Sequence, residues 1–375
     1  MSALSEVIQR AAVQAGFELA GIAPVGDDAL PELAHFPAWI AAGHVGEMDY
    51  MQARDERGRL RRASVQETFP WARSVIVCAL NYNSAAPQSS EKAEAARGWI
   101  SRYAWGRKDY HQVVMARLRQ VEAALRVAAG DHPDLQTRCY VDTGPLLERV
   151  VAAHAGLGWL GKNTCLIHPK LGSWLFLGVI LTSLELEPGA PLPDRCGSCT
   201  RCLDVCPTQA FPAPYELDAA RCISYLTIEK RGEIPEELRA GVGRHVFGCD
   251  LCQEVCPWNR KAPVSAAPEL QPRPELVNPA LEWLAGLSEE EFRRNFRGTA
   301  VRRAKRSGLR RNAVVAMGNS GDARFLPHLE HLSHDPDPTV ASHARRARAR
   351  LRRAAQAQAP TTLPPRAPAR GSRAR

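Results

Sequence analysis

Eight cysteines that could bind iron lie close together in the sequence, between positions 196 and 256. The first four have the spacing C-x2-C-x2-C-x3-C-P, which is typical of bacterial ferredoxins with two clusters. The second four are a lone cysteine followed by a C-x2-C-x3-C-P run. The pattern predicts two [4Fe–4S] clusters, and therefore electron transfer, at Cys196, Cys199, Cys202, Cys206, Cys222, Cys249, Cys252 and Cys256.

In this ferredoxin pattern the fourth cysteine of a run serves the other cluster. We therefore expect one cluster on Cys196, Cys199, Cys202 and Cys256, and the other on Cys206, Cys222, Cys249 and Cys252. Zinc sites are the alternative, because zinc also binds C-x2-C pairs. Three cysteines at successive x2 spacings, with no histidine among the eight ligands, favour the clusters.

The composition of the 375-residue chain, 45% hydrophobic and 24% charged, is typical of a soluble globular protein. The longest apolar run, Trp174 to Leu181, is too short to cross a membrane. The first residues lack the features of a secretion signal, so we expect a cytoplasmic protein without a membrane partner. Disulfide bonds are not expected in such a protein, because the cytosol keeps thiols reduced. The three cysteines outside the module, Cys78, Cys139 and Cys165, are predicted to be buried apolar side chains.

The net charge of +9 indicates a polyanionic partner. Two stretches concentrate the positive charge. One is the arginine-rich end of the chain from Arg345, which could equally be a solubilising tail. The other is a basic run whose members are candidates for nucleic-acid contact but could equally form a solvated helix face: Arg302, Arg303, Lys305, Arg306, Arg310 and Arg311.

Asp142 lies where a predicted strand ends and a predicted helix begins, in the segment Val141 to Pro145. At such a position an acid projects from the sheet edge, where α/β enzymes bind ligands, but it could equally cap the helix. The glycine-rich segment 156–164 lacks the spacing of a nucleotide phosphate loop. His154 and His168 are each more simply read as structural residues.

The elements that must position these residues fall into four regions. Residues 1–187 alternate predicted helices (5–15, 110–129, 145–155) with predicted strands (74–80, 137–141, 174–182), which indicates a layered α/β sheet. A proline-rich linker opens the cysteine module, 188–261. Paired short helices in 262–355 suggest a HEAT-like domain. Residues 356–375 are rich in proline, alanine and arginine, and we expect them to be disordered.

Several segments together resemble the epoxyqueuosine reductase family over about residues 1–350. Besides the first cysteine run, they are 44–50 (HVGEMDY), 101–104 (SRYA), 141–145 (VDTGP), 156–159 (GLGW), 221–229 (RCISYLTIE), 247–250 (FGCD) and 256–259 (CPWN). The resemblance implies a cobalamin-binding α/β core like that of reductive dehalogenases, a two-cluster ferredoxin-like module and a HEAT-like helical domain. It also implies reduction of epoxyqueuosine to queuosine at the tRNA wobble position, the last step of queuosine synthesis.

The resemblance further assigns residues and partners. Asp142 matches the family's proton donor, and the tRNA anticodon stem-loop and an external electron donor are the implied partners of a chain expected to be a monomer. By their position near the motifs, the cobalamin contacts are Tyr103, Asp142, Lys162, Asn163, Ser173 and Ser224. Two other readings remain. A reductive dehalogenase-like cobalamin enzyme would act on a small molecule, and a simple ferredoxin-type carrier would leave about half of the chain unexplained.

Overall fold

A computed structural model describes residues 3–91, 93–130 and 132–358. The strands are β1 Leu19–Pro24, β2 Ser74–Asn81, β3 Trp99–Ile100, β4 Thr137–Tyr140, β5 Trp159–Leu160, β6 Leu166–Ile167, β7 Leu175–Thr182 and β8 His245–Phe247. The α-helices are α1 Ala3–Gln14, α2 Phe36–Ala41, α3 Val65–Thr68, α4 Tyr110–Ala129, α5 Glu148–His154, α6 Arg201–Asp204, α7 Ile223–Ile228, α8 Glu236–Arg239, α9 Leu251–Glu254, α10 Pro274–Val277, α11 Leu281–Gly286, α12 Glu289–Phe296, α13 Lys305–Asn319, α14 Leu326–Leu332 and α15 Pro338–Gln358.

The N-terminal region is built on a sheet with the strand order β1-β2-β7-β4, and every neighbouring pair in it is antiparallel. Side chains of β2 alternate between two apolar cores because successive residues of a strand point to opposite faces. Ile76, Cys78 and Leu80 face the core beneath α1 and α4. Val75 and Val77 face the core that contains α5. Both faces of the sheet are therefore covered by helices.

The three predicted strands and the helices at 5–15 and 110–129 are confirmed to within two residues, and α4 ends at the predicted glycine, Gly130. Three details differ. Strand β1 was not predicted, because its sequence is short and rich in alanine and glycine. Helix α5 begins at Glu148, not at Pro145, so Asp142 does not cap it and this alternative is wrong. Finally, α15 continues to Gln358, past residue 356, where the tail was predicted to start. The rest of the predicted tail, residues 359–375, lies outside the described residues.

The helices of the C-terminal region share one core with parts of the regions before it. Leu284, Leu309 and Phe325 pack in the same apolar cluster as Ile100 and Phe247. Strand β3 pairs in parallel with β8, which ties the N-terminal region to the cysteine module. The three regions are thus packed against one another around shared apolar surface. None of the described helices is long and apolar enough to span a membrane.

Arg310 and Arg311 correct the predicted nucleic-acid surface. Their side chains are buried, with 6% and 1% of the residue exposed, on the helix α13 that packs into this core. Arg310 pairs with Asp335, whereas Arg311 donates to the backbone carbonyls of Leu226, Lys230 and Gly232. Burial lowers the pKa of Arg311 to about 10. Both arginines hold the protein together, so the prediction that they contact tRNA was wrong.

The buried Arg310–Asp335 pair gives a test of stability. Replacing Asp335 by alanine leaves the Arg310 charge buried and unpaired, which typically costs about 3–5 kcal/mol. Unfolding by denaturant should show this loss. Glu94→Ala, which breaks an exposed pair with Arg97, is the control and should cost about 0–1 kcal/mol. An equal effect of the two substitutions would contradict this role of Asp335.

The same pair sets a pH dependence. Burial alone would raise the pKa of Asp335, but hydrogen bonds from Arg310 and from the backbone of Asp337 outweigh burial and lower it. The ionised Asp335 therefore contributes fully to the free energy of unfolding above its unfolded-state pKa of about 3.9. This contribution is lost as the pH falls through the lower folded-state pKa. The difference between the protein and Asp335→Ala should accordingly shrink in acid.

Candidate functional site

A large cavity lies where the three regions meet. Its volume is about 2040 Å³, at least twice that of an ordinary small-molecule site. One wall is the segment after β4, from Asp142 to Val150. Residues of the cysteine module also line the cavity, as do residues 298–300, 302 and 303 of the C-terminal region. Aromatic side chains line much of the interior: Tyr50, Tyr82, Tyr103, Tyr110, Tyr140, Trp159 and Phe176.

Asp142 projects into this cavity from a strained backbone. Its φ of 54° is in the left-handed region, which is rare for residues other than glycine, asparagine and aspartate. Thr164 and Tyr215 also have positive φ and also line the cavity. Strained residues of this kind concentrate at functional sites. The Asp142 side chain is 66% exposed, and it is exposed toward the cavity.

Helix α4 presents its first turn to Asp142. The Tyr110 hydroxyl donates a 2.6 Å hydrogen bond to Asp142 Oδ2. Burial, with the nearby charge of Asp142, raises the pKa of Tyr110, so the phenol keeps its proton at any working pH. His111 Nε2 lies 3.9 Å from the same oxygen, and His111 Nδ1 lies 2.6 Å from Asp109 Oδ1. Asp109 also caps α4 by accepting from the His111 backbone N–H.

Charged groups surround Asp142 on its other sides. The guanidinium groups of Arg62, Arg149 and Arg303 interact electrostatically with its carboxyl. Glu148 is a neighbour on the same wall. Burial, and secondly the Asp142 charge, raise the pKa of Glu148 to about 7, and its Oε1 atom is buried without a hydrogen-bond partner. The cavity wall therefore holds one carboxyl, that of Glu148, whose pKa lies near neutral pH.

The eight thiols of the cysteine module form two groups of electrostatic neighbours. Cys196, Cys199, Cys202 and Cys256 make one group, and Cys206, Cys222, Cys249 and Cys252 make the other. Each group combines thiols from both cysteine runs, as an exchange of ligands between clusters requires. Of the described residues in the cavity wall, Cys222 and Cys249 come from the second group and none comes from the first.

The predicted cofactor contacts divide into two sets. Tyr103 and Ser224 line the cavity together with Asp142. Lys162, Asn163 and Ser173 are not among the lining residues, and for them a cofactor contact stays a prediction. Lys162 Nζ donates to the carbonyls of Gly197 and Cys199, while the Asn163 amide donates to the carbonyl of Cys252. Ser173 accepts from Gln253 and Asn259. These three side chains brace the cysteine module because the turn that carries them packs against it.

The remaining cysteines and histidines are mostly structural. Cys78 and Cys139 are buried, as predicted, but Cys165 is only partly buried and its thiol hydrogen-bonds that of Cys252. His168 Nδ1 accepts from the backbone of Lys170 and Leu171. His154 lies on the cavity wall and pairs with Glu32 at 2.7 Å.

The exposed part of the predicted basic surface lies at the cavity. Arg302 and Arg303 line it, and they also line a second depression of about 750 Å³ beside it, together with Lys305 and Arg306. Arg303 forms a two-point ion pair with Glu229, and Arg306 pairs with Glu289. Among the described residues, Arg302 and Lys305 have no ion-pair or hydrogen-bond partner for their side chains.

Sequence reasoning missed most of the groups around Asp142. The sequence predicts that Tyr110 lies at the start of a helix, and it assigns no role to His111, Arg62 or Glu148. Asp109-Tyr110-His111 joins an acid, a phenol and an imidazole at a helix N-terminus, and this clustering was the available signal. Its relation to Asp142 depends on two segments about thirty residues apart meeting at the sheet edge, which the local pattern does not give.

Two family profiles match the chain. Residues 62–143 match the family described as "Epoxyqueuosine reductase QueG, DUF1730". Residues 195–259 match the "4Fe-4S double cluster binding domain", which agrees with the cysteine spacing and supports two clusters in this module. The first match ends one residue after Asp142, and the second includes all the cysteines of the two groups.

Curated relatives and solved structures agree with these profiles. The chain is 46% identical to an epoxyqueuosine reductase of Gloeobacter violaceus over 320 residues, 84% of this chain and 95% of that protein. It is 38% identical to that of Escherichia coli over 333 residues, 88% and 85% of the two chains. A crystal structure of epoxyqueuosine reductase with an epoxyqueuosine-modified tRNA-Tyr stem loop superposes with a TM-score of 0.82, at 33% identity, covering 93% of this chain and 90% of that one.

The grouping of thiols predicts which double substitutions spare a cluster. Cys202→Ala with Cys256→Ala removes two ligands of one group and should leave about half of the iron. Cys202→Ala with Cys206→Ala removes one ligand from each group and should lose more iron and both electron paramagnetic resonance signals. Iron analysis of anaerobically purified protein makes the measurement, with Cys139→Ala as the control. If Cys202→Ala with Cys206→Ala spared one cluster instead, the ligands would follow sequence order.

Proposed function

Because the chain belongs to the epoxyqueuosine reductase family, we propose that it reduces epoxyqueuosine to queuosine in tRNA. The observation that carries this proposal is that two chemistries line one cavity. Asp142, a carboxyl that can serve as an acid, lines it together with two cysteines of the iron–sulfur module, Cys222 and Cys249. A reductive removal of oxygen needs both electrons and protons at the same substrate atoms.

We propose that each thiol group holds one [4Fe–4S] cluster, and that the cavity also binds cobalamin. Three features fit cobalamin: the volume is far larger than one nucleoside needs, aromatic rings line it, and Glu148 Oε1 is a buried polar atom left without a partner. Tyr103, Asp142 and Ser224 would contact it. When bound, cobalamin supplies a cobalt centre that can deliver two electrons to carbon.

The chemistry sets what the protein must provide. Converting the epoxide to the alkene takes two electrons and two protons, and the oxygen leaves as water. Cys222 and Cys249 line the cavity, so the cluster that they would hold is the one that would supply electrons there, one at a time, from an external donor. Asp142 gives a proton to the oxygen as the carbon–oxygen bond breaks, because an oxygen leaving as an anion is a poor leaving group. Tyr110 holds the carboxyl in a fixed orientation.

The substrate nucleotide reaches this cavity only if it leaves the stacked anticodon loop, as bases do in other enzymes that act on them. Arg302 and Lys305, whose charges are not paired within the described chain, are the proposed phosphate contacts, with Arg303 and Arg306 beside them. Phosphate contacts position a nucleic acid without reading its sequence. The basic residues 345–353 of α15 are weaker candidates, because Arg346 and Arg348 are paired with Glu233 and Glu330.

We also infer the organisation that goes with this activity. Residues 1–187 form the cobalamin-binding part, 188–261 the two-cluster part, and 262–355 a HEAT-like helical part, which is supported by the antiparallel packing of successive helices α13, α14 and α15. The protein works as a monomer in the cytoplasm, where tRNA and a one-electron donor are both available.

Asp142→Asn tests the proton donor. Asparagine tolerates the left-handed backbone conformation and keeps the size of the side chain, so the loop should be preserved. Turnover of a stem-loop bearing epoxyqueuosine should fall at least about a hundredfold, the usual scale for removing a general acid. Iron content and stem-loop affinity should not change. Asp28→Asn, an exposed acid elsewhere, is the control. Near-normal turnover of Asp142→Asn would remove Asp142 from the role.

Arg302→Ala and Lys305→Ala test the phosphate contacts. Each should weaken stem-loop binding, and each should reduce the slope of log affinity against log salt by about one, because one fewer counterion is released. Fluorescence anisotropy across a salt series measures both quantities. Arg10→Ala, on the far side of the fold in α1, is the matched control. Unchanged slopes for both variants would exclude this surface.

A further inference from the structure

We propose that His111, held by Asp109, passes protons from solvent to Asp142. The inference deepens the proposed function, on which it rests, by naming the source of the protons that the reaction consumes. His111 acts on Asp142 and not on the substrate, so it is a positioning and relay residue.

The imidazole is fixed on three sides. Its Nδ1 lies 2.6 Å from Asp109 Oδ1, its face stacks on the Tyr110 ring with centroids 4.0 Å apart, and its Nε2 points to Asp142 Oδ2 at 3.9 Å. Tyr110 is itself stacked on Phe176 at 4.3 Å, with the rings 3° from parallel. A gap of 3.9 Å is too long for a direct hydrogen bond, so a proton transfer across it requires a bridging water molecule or a small movement of the carboxyl.

The hydrogen bond to Asp109 decides which ring nitrogen of His111 can pass a proton to Asp142. Because Nδ1–H donates to the Asp109 carboxylate, the proton to be passed is the one on Nε2, which faces Asp142. The Asp109 carboxylate also stabilises the imidazolium that forms when His111 takes up a proton. His111 lines the same cavity, and its side chain is 34% exposed against 66% for Asp142. The relay requires this exposed edge of the imidazole to keep contact with water when the substrate is bound.

The proton balance creates the need for such a relay. Each turnover places two protons on the departing oxygen, and the Asp142 carboxyl carries only one. After giving it, Asp142 is a carboxylate and must be reprotonated before it can act again. His111 gives its Nε2 proton to Asp142 Oδ2 and takes another from solvent; no electrons move in this step. The electron donor of the reaction, a one-electron carrier or dithionite, takes no part in the proton relay.

The groups that face His111 come from three elements. Asp109 and Tyr110 belong to the start of α4, Asp142 to the segment after β4, and the Tyr103 ring packs edge-on against Tyr110 from the preceding turn. Glu148 is the competing proton source for Asp142, since it lies on the same wall, although no contact joins it to His111. The test must therefore separate the two.

The experiment compares His111→Gln, Asp109→Asn and Glu148→Gln in the cluster-loaded protein with bound cobalamin. His111→Gln should lower kcat at least about tenfold, with KM for the stem-loop unchanged, and the loss should grow as the pH rises and hydronium becomes scarce. Added imidazole should restore the rate of His111→Gln in proportion to its concentration. Imidazole should not restore the rate of Glu148→Gln.

Asp109→Asn keeps the helix cap, because asparagine is also a good cap. Its kcat should fall, as that of His111→Gln does. His132→Gln is the control.

A second measurement does not depend on turnover. In the oxidised protein with its clusters, the histidine ring signal that disappears in His111→Gln is followed by NMR against pH. Asp142→Asn should displace its titration curve, and Asp28→Asn should not. An unchanged curve, or a slow His111→Gln variant that imidazole does not rescue, would overturn the relay. If instead the unaltered protein failed to turn over the modified stem-loop under dithionite, the proposed function itself would fail, and the relay with it.

Discussion

Bringing together two groups of four thiols from two separated stretches of chain is the constraint on which the rest of this structure depends. Cys256 must return to the first run, and Cys206 must leave it, so the segment between them has to follow a fixed path. Short helices alone cannot fix that path. The buried guanidinium of Arg311 binds three carbonyls of the segment, at Leu226, Lys230 and Gly232. The helical C-terminal region thus supports the segment that carries Cys222, one of the two cysteines that line the cavity.

Much of the fold could be predicted where the pattern is local. The runs that became β2 and β7 are apolar on both faces because helices cover both sides of the sheet, and the glycine after α4 ends it where expected. Antiparallel pairing could not be predicted, because an apolar run looks the same in either direction. The short strand β1 was missed for a related reason: Leu19–Pro24 carries few large apolar residues, and its pairing with β2 defines it.

The sequence predicted those parts of the site whose chemistry depends on residue type and spacing alone. The spacing of the eight cysteines predicts that they bind clusters, and the motif at 141–145 identifies Asp142. Charge was less informative, because Arg302 and Arg311 look alike in a basic run although one is exposed and the other is 1% exposed. Burial of an arginine depends on whether carbonyls from elsewhere reach it. The same holds for Lys162 and Asn163, whose motif adjoins the cavity but whose side chains turn to the cysteine module.

The carboxyl of Asp142 and the thiols of Cys222 and Cys249 line one cavity, but the groups around the carboxyl come from other parts of the chain. Three arginines, a phenol that keeps its proton and an imidazole lie around Asp142. The left-handed backbone at Asp142 is the strain needed to point its carboxyl into that setting. The residues that would handle protons and those that would hold the source of electrons therefore belong to different regions of the fold, and the cavity is where these regions meet.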